Sequence, residues 1–138
     1  MRIVIDTNVF ISSFFGGIPR RVVDQWFSGR VILCVSTPIL KEYLEVLNRF
    51  QFDKEDVLLR LLSAIERGAN MLFIENPEEQ DWIREDPADN KFIACAISLG
   101  AEYIVSGDAH LREMIQIGKV RIVTPGEMLK RIEKGKGL

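Results

Sequence analysis

The chain is poor in the residues that build disulfide or zinc scaffolds. It contains two cysteines and one histidine among 138 residues. Two cysteines cannot form the disulfide framework of a small secreted protein. Cys34 and Cys95 each lie within an apolar run, which favours a place for both in the core. The single His110 leaves too few nitrogen and sulfur ligands for a histidine-rich zinc site.

Long apolar runs and an excess of positive charge are also missing. No segment approaches the roughly 18 uninterrupted apolar residues of a membrane span. The apolar run near the start stops at Asp6, which is too short for a signal peptide. Lys and Arg number 18 and Asp and Glu number 20, so the formal net charge is −2. Bulk positive charge therefore cannot drive nucleic-acid binding. Since neither a membrane span nor a signal peptide is predicted, we expect a cytoplasmic protein without membrane association.

The remaining composition is that of a folded protein. Apolar residues make up 47% and charged residues 28% of the chain, which excludes intrinsic disorder. The length suits one hydrophobic core rather than two. We therefore expect a single domain over residues 1–133 and a frayed polar tail over 134–138.

Apolar runs typical of buried strands alternate with segments of helical spacing. The predicted strands cover residues 3–5, 31–35, 71–74, 103–105 and 120–123. Helices are predicted between them, including one that starts near residue 53 and a short one with Leu111 and Met114. This alternation predicts an α/β fold, a three-layer α/β/α sandwich with a mainly parallel central sheet of about five strands.

Four acidic residues are predicted to meet at one edge of this sheet. Asp6 and Asp108 follow the first and fourth strands, Asp89 precedes the helix that leads to the fourth strand, and Glu42 lies one turn into the helix after the second. Ligands of open parallel sheets bind beyond the carboxyl ends of the strands. Converging carboxylates repel one another unless a cation lies between them. Hard oxygen ligands favour Mg²⁺ or Mn²⁺ over Zn²⁺.

Such a site suits metal-assisted hydrolysis of a phosphodiester, in which the metal activates water and stabilises the leaving oxygen. Asn8 adds a neutral amide near Asp6. A plainer interpretation is open for two of the acids. Asp89 is also a good helix N-cap, and Glu42 is also compatible with a solvated helix surface.

Four segments resemble the motifs of PIN-domain nucleases. They are IDTNV at 5–9, TPILKE at 37–42, DPADNK at 86–91 and VSGD at 105–108. Their order matches that of the family, and the resemblance covers essentially the whole chain. The chain is most similar to VapC-like toxin components of bacterial and archaeal toxin–antitoxin systems.

The resemblance implies a compact α/β/α domain that acts as a Mg²⁺- or Mn²⁺-dependent endoribonuclease. Its metal-binding and catalytic acids would be Asp6, Glu42, Asp89 and Asp108, with Asn8 and Ser106 in support. Asp86, three residues before Asp89, is the alternative third acid. Lys91 and His110 adjoin the site in sequence, and we assign neither a catalytic role.

The resemblance also implies partners. The substrate would be RNA, with a protein antitoxin as inhibitor and a homodimer as the assembly. Phosphate contacts must then come from the rim of an acidic pocket. The candidates for them are Arg20, Arg21 and Lys41, followed by Arg49 and Arg112. The apolar stretch 9–11 with Phe14 and Phe15 either lines an interface or packs in the core.

Two other functions remain open at this stage. One is a phosphoryl-transfer enzyme or phosphatase with an aspartyl nucleophile. Haloacid-dehalogenase-like enzymes of that kind place a second aspartate two residues after the first, where this chain has Asn8, and their late lysine has no clear match. The other is a PIN-like RNA-binding module with a dormant site, against which the four intact acids argue.

Overall fold

A mostly parallel β-sheet runs through the centre of the molecule. The computed structural model describes residues 1–49, 55–80, 82, 89–108, 111 and 116–136. The strands in these ranges are β1 (Arg2–Ile5), β2 (Ile32–Ser36), β3 (Met71–Ile74), β4 (Tyr103–Val105), β5 (Gln116–Ile117) and β6 (Val120–Val123). Their order is β3-β2-β1-β4-β6-β5, and every pairing is parallel except that of β5 with β6.

Helices cover both sides of the sheet. The described helices are α1 (Thr7–Ser12), α2 (Gly17–Phe27), α3 (Thr37–Arg49), α4 (Glu55–Arg67), α5 (Asn90–Leu99) and α6 (Pro125–Lys136), with a short 3₁₀ turn at Ser13–Phe15. Helix α5 packs across the four strands β1 to β4, whereas α2 packs against α6. The predicted α/β/α sandwich is therefore confirmed.

The boundaries differ from the prediction in a few places. Strand β5 was not predicted, because it has only two residues and no periodicity, and it turns back into β6 through Gly118 at a φ of 58°. Helix α6 runs to Lys136, so residues 134–136, expected in a frayed tail, are helical. The predicted helix start near 53 and most of the helix around Leu111 lie outside the described residues.

The strand order fixes where a ligand site can form. From β1 the chain moves outward to β2 and β3, and α5 then returns it to β4 on the other side of β1. The crevice beyond the carboxyl ends of two strands at such a reversal is where open α/β sheets bind ligands. Ile5 pairs with Val105 in the register of β1 and β4. The next residues, Asp6 and Ser106, therefore lie side by side at this crevice.

The core is built from the β-branched strands and a cluster of aromatic side chains. Residues 3–5 are fully buried, and the rings of Phe10 and Tyr43 stack with their centroids 4.4 Å apart. Cys34 and Cys95 are free and buried, as predicted. Burial raises the pKa of Cys34 to about 11 and that of Cys95 to about 12, so both thiols are protonated at neutral pH. None of the helices described is long and apolar enough to cross a bilayer.

The apolar stretch after Asp6 belongs mainly to this core. Val9, Phe10, Ile11 and Phe14 are all buried, whereas Phe15 is 69% exposed. The interpretation of the whole stretch as an interface is therefore wrong, because α1 turns its apolar side chains inward. Phe15 is the one member of the stretch that faces solvent.

Tyr43 links α3 to the end of β1, and removal of its hydroxyl group tests this link. Its hydroxyl donates a hydrogen bond to the carbonyl of Ile5 inside the core. We expect Tyr43→Phe to keep the stacked ring but to lower the free energy of unfolding by about 1–2 kcal/mol, because the Ile5 carbonyl loses a buried partner. Urea unfolding followed by circular dichroism measures this loss. The control is Tyr103→Phe, which removes a part-buried hydrogen bond from Arg131 and should cost less. An equal or smaller loss in Tyr43→Phe would contradict the assignment.

Candidate active site

The centre of the site is a buried carboxylate at the end of β1. Asp6 leaves the strand in extended backbone and caps α1, where its Oδ1 accepts the backbone N–H of Val9 at 2.9 Å. Its Oδ2 accepts a hydrogen bond from the hydroxyl of Ser106, the residue after β4. The backbone N–H of Asp6 donates to Val105 at 3.0 Å. Asp6 is only 3% exposed, so sheet and helix together fix its position.

Burial dominates the electrostatics of this carboxylate. It raises the pKa of Asp6 above the ordinary value of 3.8, and the nearby charge of Asp108 raises it further. Hydrogen bonds from Ser106 and from the backbone N–H groups of Val9 and Asn8 oppose the shift without cancelling it. The ionised form of Asp6 is therefore disfavoured, and a nearby cation would stabilise it.

Glu42 reaches the same region from α3. The next residue, Tyr43, ties this helix to the end of β1. Oε2 of Glu42 accepts a hydrogen bond from the Thr7 hydroxyl, and Oε1 forms an ion pair with Nζ of Lys91 at 2.7 Å. Glu42 is therefore held by two side chains rather than projecting freely into solvent, which argues against the solvated-surface interpretation.

The other two acids come from the start of α5 and the end of β4. Asp89 stands at the N-cap position of α5, but its side chain makes no capping hydrogen bond to the helix. The structure therefore does not support the interpretation of Asp89 as only a helix N-cap. The backbone N–H of Asp108 donates to Ser106 Oγ at 2.9 Å, and its Oδ1 accepts the N–H of Leu111 at 3.3 Å.

These side chains line one cleft of about 200 Å³ at the carboxyl edge of the sheet. The lining residues are Asp6, Thr7, Asn8, Glu42, Val46, Asp89, Phe92 and Asp108. All four predicted acids and Asn8 are among them. Ser106 is fully buried and reaches the cleft through its hydrogen bond to Asp6.

The carboxylates share the cleft without being assembled into a finished metal cage. In the described part of the chain, no three acidic, histidine or cysteine side chains are grouped closely enough to hold a metal ion. Within the cleft, Lys91 and Thr7 hold Glu42, while Ser106 and the backbone N–H of Val9 hold Asp6. A bound ion would require some of these side chains to rotate.

Two larger clefts lie elsewhere and lack this chemistry. Each has a volume of about 380 Å³. Among the described residues that line them, the cleft between α2 and α4 has no acid, and the other cleft has Glu102 as its one carboxylate. Size therefore does not identify the site here, whereas the convergence of acids does.

Four of the predicted rim cations, Arg20, Arg21, Lys41 and Arg49, are not among the described residues that line the cleft. Arg20 pairs with Asp24 at 3.4 Å within α2, and Arg21 pairs with Glu133 of α6 at the same distance. Lys41 and Arg49 are exposed on α3. Their contact with substrate therefore stays a prediction. Asp86, His110 and Arg112 lie outside the residues that the structure describes.

Two members of the site had no role in the sequence interpretation. Thr7 directly follows Asp6, and its buried hydroxyl orients Glu42. Lys91 lies in the first turn of α5 and neutralises the same carboxylate. Both residues lie within the segments that resemble the family's motifs. The contacts of Thr7 and Lys91 with Glu42 span 35 and 49 residues, respectively, and therefore could not be predicted from local spacing.

The comparisons with known proteins agree with this geometry. The family model of the PIN domain matches residues 2–110. The chain is also 31% identical to an uncharacterized protein of Methanocaldococcus jannaschii, MJ1680, over 97% of this chain and 93% of the relative.

The chain therefore belongs to the PIN-domain family. The PIN domain is a nuclease-type fold, and nucleases that contain it generally use divalent metal ions. The match ends at residue 110, so it includes all four acids of the cleft.

The buried charge of Asp6 predicts how stability depends on pH. A carboxyl whose pKa is raised in the folded state destabilises the fold once it ionises, so its penalty grows as pH rises through the folded pKa and vanishes below about 3.8. We therefore expect metal-free Asp6→Asn to be more stable than the parent at pH 7, with an advantage that disappears at the acid end of the range. Melting curves between pH 3.5 and 8 measure it. A variant that is less stable at pH 7 would show that the hydrogen bonds outweigh burial.

Proposed function

We propose that this protein is a Mg²⁺- or Mn²⁺-dependent endoribonuclease that hydrolyses RNA phosphodiester bonds. The observation that carries the proposal is the cleft at the β1–β4 reversal, where Asp6, Glu42, Asp89 and Asp108 meet. Membership of the PIN family supports the nuclease class. The metal, the RNA substrate and the biological role are the finer parts of the proposal.

The donor set fits a hard divalent cation. Among the described residues that line the cleft are four carboxylates and the Asn8 amide, and none of these residues is a cysteine or a histidine. Oxygen donors of this kind suit Mg²⁺ and Mn²⁺. Burial and the neighbouring charge of Asp108 already disfavour an isolated anion at Asp6, so a cation at this place would stabilise the site.

Asp6, Asp89 and Asp108 would hold the ion, and Glu42, which lines the same cleft, would be a further ligand. The chemistry that a divalent ion supplies when bound is Lewis acidity, which activates water and stabilises the leaving oxygen. Ser106 contributes by orientation, because its hydroxyl donates to Asp6 and its oxygen accepts the N–H of Asp108. One buried hydroxyl thus couples two carboxylates.

The negative charge of the cleft is the reason that a bound cation would favour binding of the substrate. A polyanionic substrate is repelled by four carboxylates on a chain whose formal net charge is −2. A divalent ion reverses this local repulsion, while Arg20, Arg21 and Lys41 are the proposed contacts for more distant phosphates. The preference for RNA over DNA follows from the similarity to VapC-like proteins.

An aspartyl nucleophile fits the structure less well. Haloacid-dehalogenase-like enzymes place a second aspartate two residues after the nucleophile, whereas the residue at that place in this chain, which lines the cleft, is Asn8. Hydrolysis by water forms no covalent enzyme intermediate. We therefore expect no phosphorylated protein after incubation with a labelled phosphomonoester.

The proposal extends to a toxin role in a toxin–antitoxin pair. It includes a protein antitoxin, a homodimer and a cytoplasmic location, all of which rest on the family resemblance. Co-expression with the product of the neighbouring gene tests the role. A complex that abolishes RNA cleavage supports it, whereas an unimpeded nuclease favours housekeeping RNA processing.

Metal binding should be visible as a gain in thermal stability. We expect millimolar Mn²⁺ to raise the melting temperature by several degrees, because a ligand that binds only the folded state stabilises it. Differential scanning calorimetry with and without chelator measures the shift. The shift should shrink in Asp108→Asn and persist in Asp24→Asn, whose carboxylate lies outside the cleft lining. An equal shift in all three proteins would place the ion elsewhere.

Cleavage should depend on the same carboxylates. We expect hydrolysis of single-stranded RNA in Mn²⁺ or Mg²⁺, its loss on addition of chelator, and a fall of orders of magnitude in Asp6→Asn. Asp24→Asn is the control for loss of one negative charge. Gel analysis of end-labelled RNA and of a DNA of the same sequence measures rate and specificity. A folded parent protein that binds RNA without cutting it would favour the dormant RNA-binding module.

A further inference from the structure

Lys91 forms an ion pair with Glu42, one of the acids that line the cleft. Its Nζ is 2.7 Å from Oε1 of Glu42, and the two side chains are only 16% and 28% exposed. The aromatic ring of Phe92, which lines the cleft, lies 5.6 Å from the same ammonium group. An ion pair that is largely shielded from solvent is screened much less than one on the surface.

The position of Lys91 at the start of its helix is unfavourable for a positive charge. It is the second residue of α5, close to the positive end of the helix dipole. A cation is disfavoured there, whereas an acid would be favoured. Local helix energetics therefore do not account for a lysine at this position. The negative potential of the cleft does, because Glu42 and the neighbouring carboxylates offset the cost.

Glu42 consequently has both oxygens engaged in the metal-free protein. Thr7 donates to Oε2 and Lys91 pairs with Oε1. A divalent ion that recruits Glu42 must displace Lys91 or accept a positive charge within a few ångströms of it. In both cases the positive charge of Lys91 opposes binding of the divalent ion.

We propose that Lys91 is the built-in counter-ion of this cleft, which neutralises Glu42 in the metal-free protein and competes with the divalent ion for it. The inference rests on the proposed function, since it concerns the affinity of the site for Mg²⁺ or Mn²⁺. Lys91 is in this sense a positioning residue that acts through Glu42. It sets the metal concentration at which the nuclease becomes loaded.

The test is the Mn²⁺ affinity of charge variants, measured by isothermal titration calorimetry at fixed ionic strength without RNA. We expect Lys91→Gln to bind Mn²⁺ roughly three- to tenfold more tightly than the parent, because the competing charge is gone. Lys91→Arg keeps the charge and should bind like the parent. Lys130→Gln, at an exposed lysine of α6 that has no place in the proposed site, controls for general loss of positive charge and should change the affinity less.

A double-mutant cycle shows whether the effect passes through Glu42. In a Glu42→Gln background the carboxylate that Lys91 pairs with is gone, so Lys91→Gln should no longer tighten Mn²⁺ binding. Melting curves of the metal-free variants confirm that each is folded. A Lys91→Gln affinity equal to or weaker than that of the parent overturns the competition, and so does an equal gain in the Glu42→Gln background.

The outcomes separate the two proposals. Mn²⁺ binding by the parent with no gain in Lys91→Gln contradicts the role of Lys91 and leaves the metal-dependent nuclease standing. Absence of Mn²⁺ binding in every variant contradicts the proposed function and, with it, the competition.

Discussion

The site depends on one buried negative charge at the reversal point of the sheet. Asp6 follows three fully buried residues, Ile3, Val4 and Ile5, and its own backbone N–H donates to the carbonyl of Val105 in β4, so its backbone cannot move without disturbing the core. Its side chain serves two purposes at once, as the cap of α1 and as the acceptor for Ser106. A carboxylate held in this way is costly when ionised, and a cation bound as in the proposed function would offset that cost.

The surrounding elements are organised around this charge. Tyr43 fastens α3 to the carbonyl that precedes Asp6, and the neighbouring Glu42 is thereby brought to Thr7. Helix α5 contributes Asp89 and Lys91 from its start. Metal ligands placed on strand ends and first helical turns are positioned more accurately than ligands on loops. In this structure Thr7 and Lys91 hold Glu42 and Ser106 holds Asp6. No three acids of the described residues are grouped closely enough to form a closed metal cage.

The sequence predicted the fold well because the signals for it are local. Runs of buried β-branched residues such as 3–5 and 120–123 predicted their strands, and Gly100 marked the end of α5, where it adopts a left-handed φ of 68°. The two-residue strand β5 was missed, because pairing with β6 rather than any pattern of its own creates it. Phe15 and its buried neighbour Phe14 could not be distinguished, since which of them faces solvent depends on the 3₁₀ turn.

The site was predictable only in part, for a related reason. The positions of Asp6 and Asp108 after strands implied a common edge, because the ends of parallel strands meet there. The resemblance named Ser106 as a supporting residue, but the individual contacts of each acid could not be predicted from spacing, since that of Ser106 with Asp6 spans 100 residues and that of Lys91 with Glu42 spans 49. The rim role of Arg20 and Arg21 was inferred from charge alone, and such an inference cannot anticipate ion pairs with Asp24 and Glu133.

The most direct measurement of the central claim is an anomalous difference map from crystals of the protein grown with Mn²⁺. The account predicts a manganese peak in the cleft between β1 and β4, with Asp6 among its ligands and Asp89 or Asp108 beside it. A well-ordered cleft without a peak at saturating Mn²⁺, or a peak bound only at other acids of the surface, would contradict it.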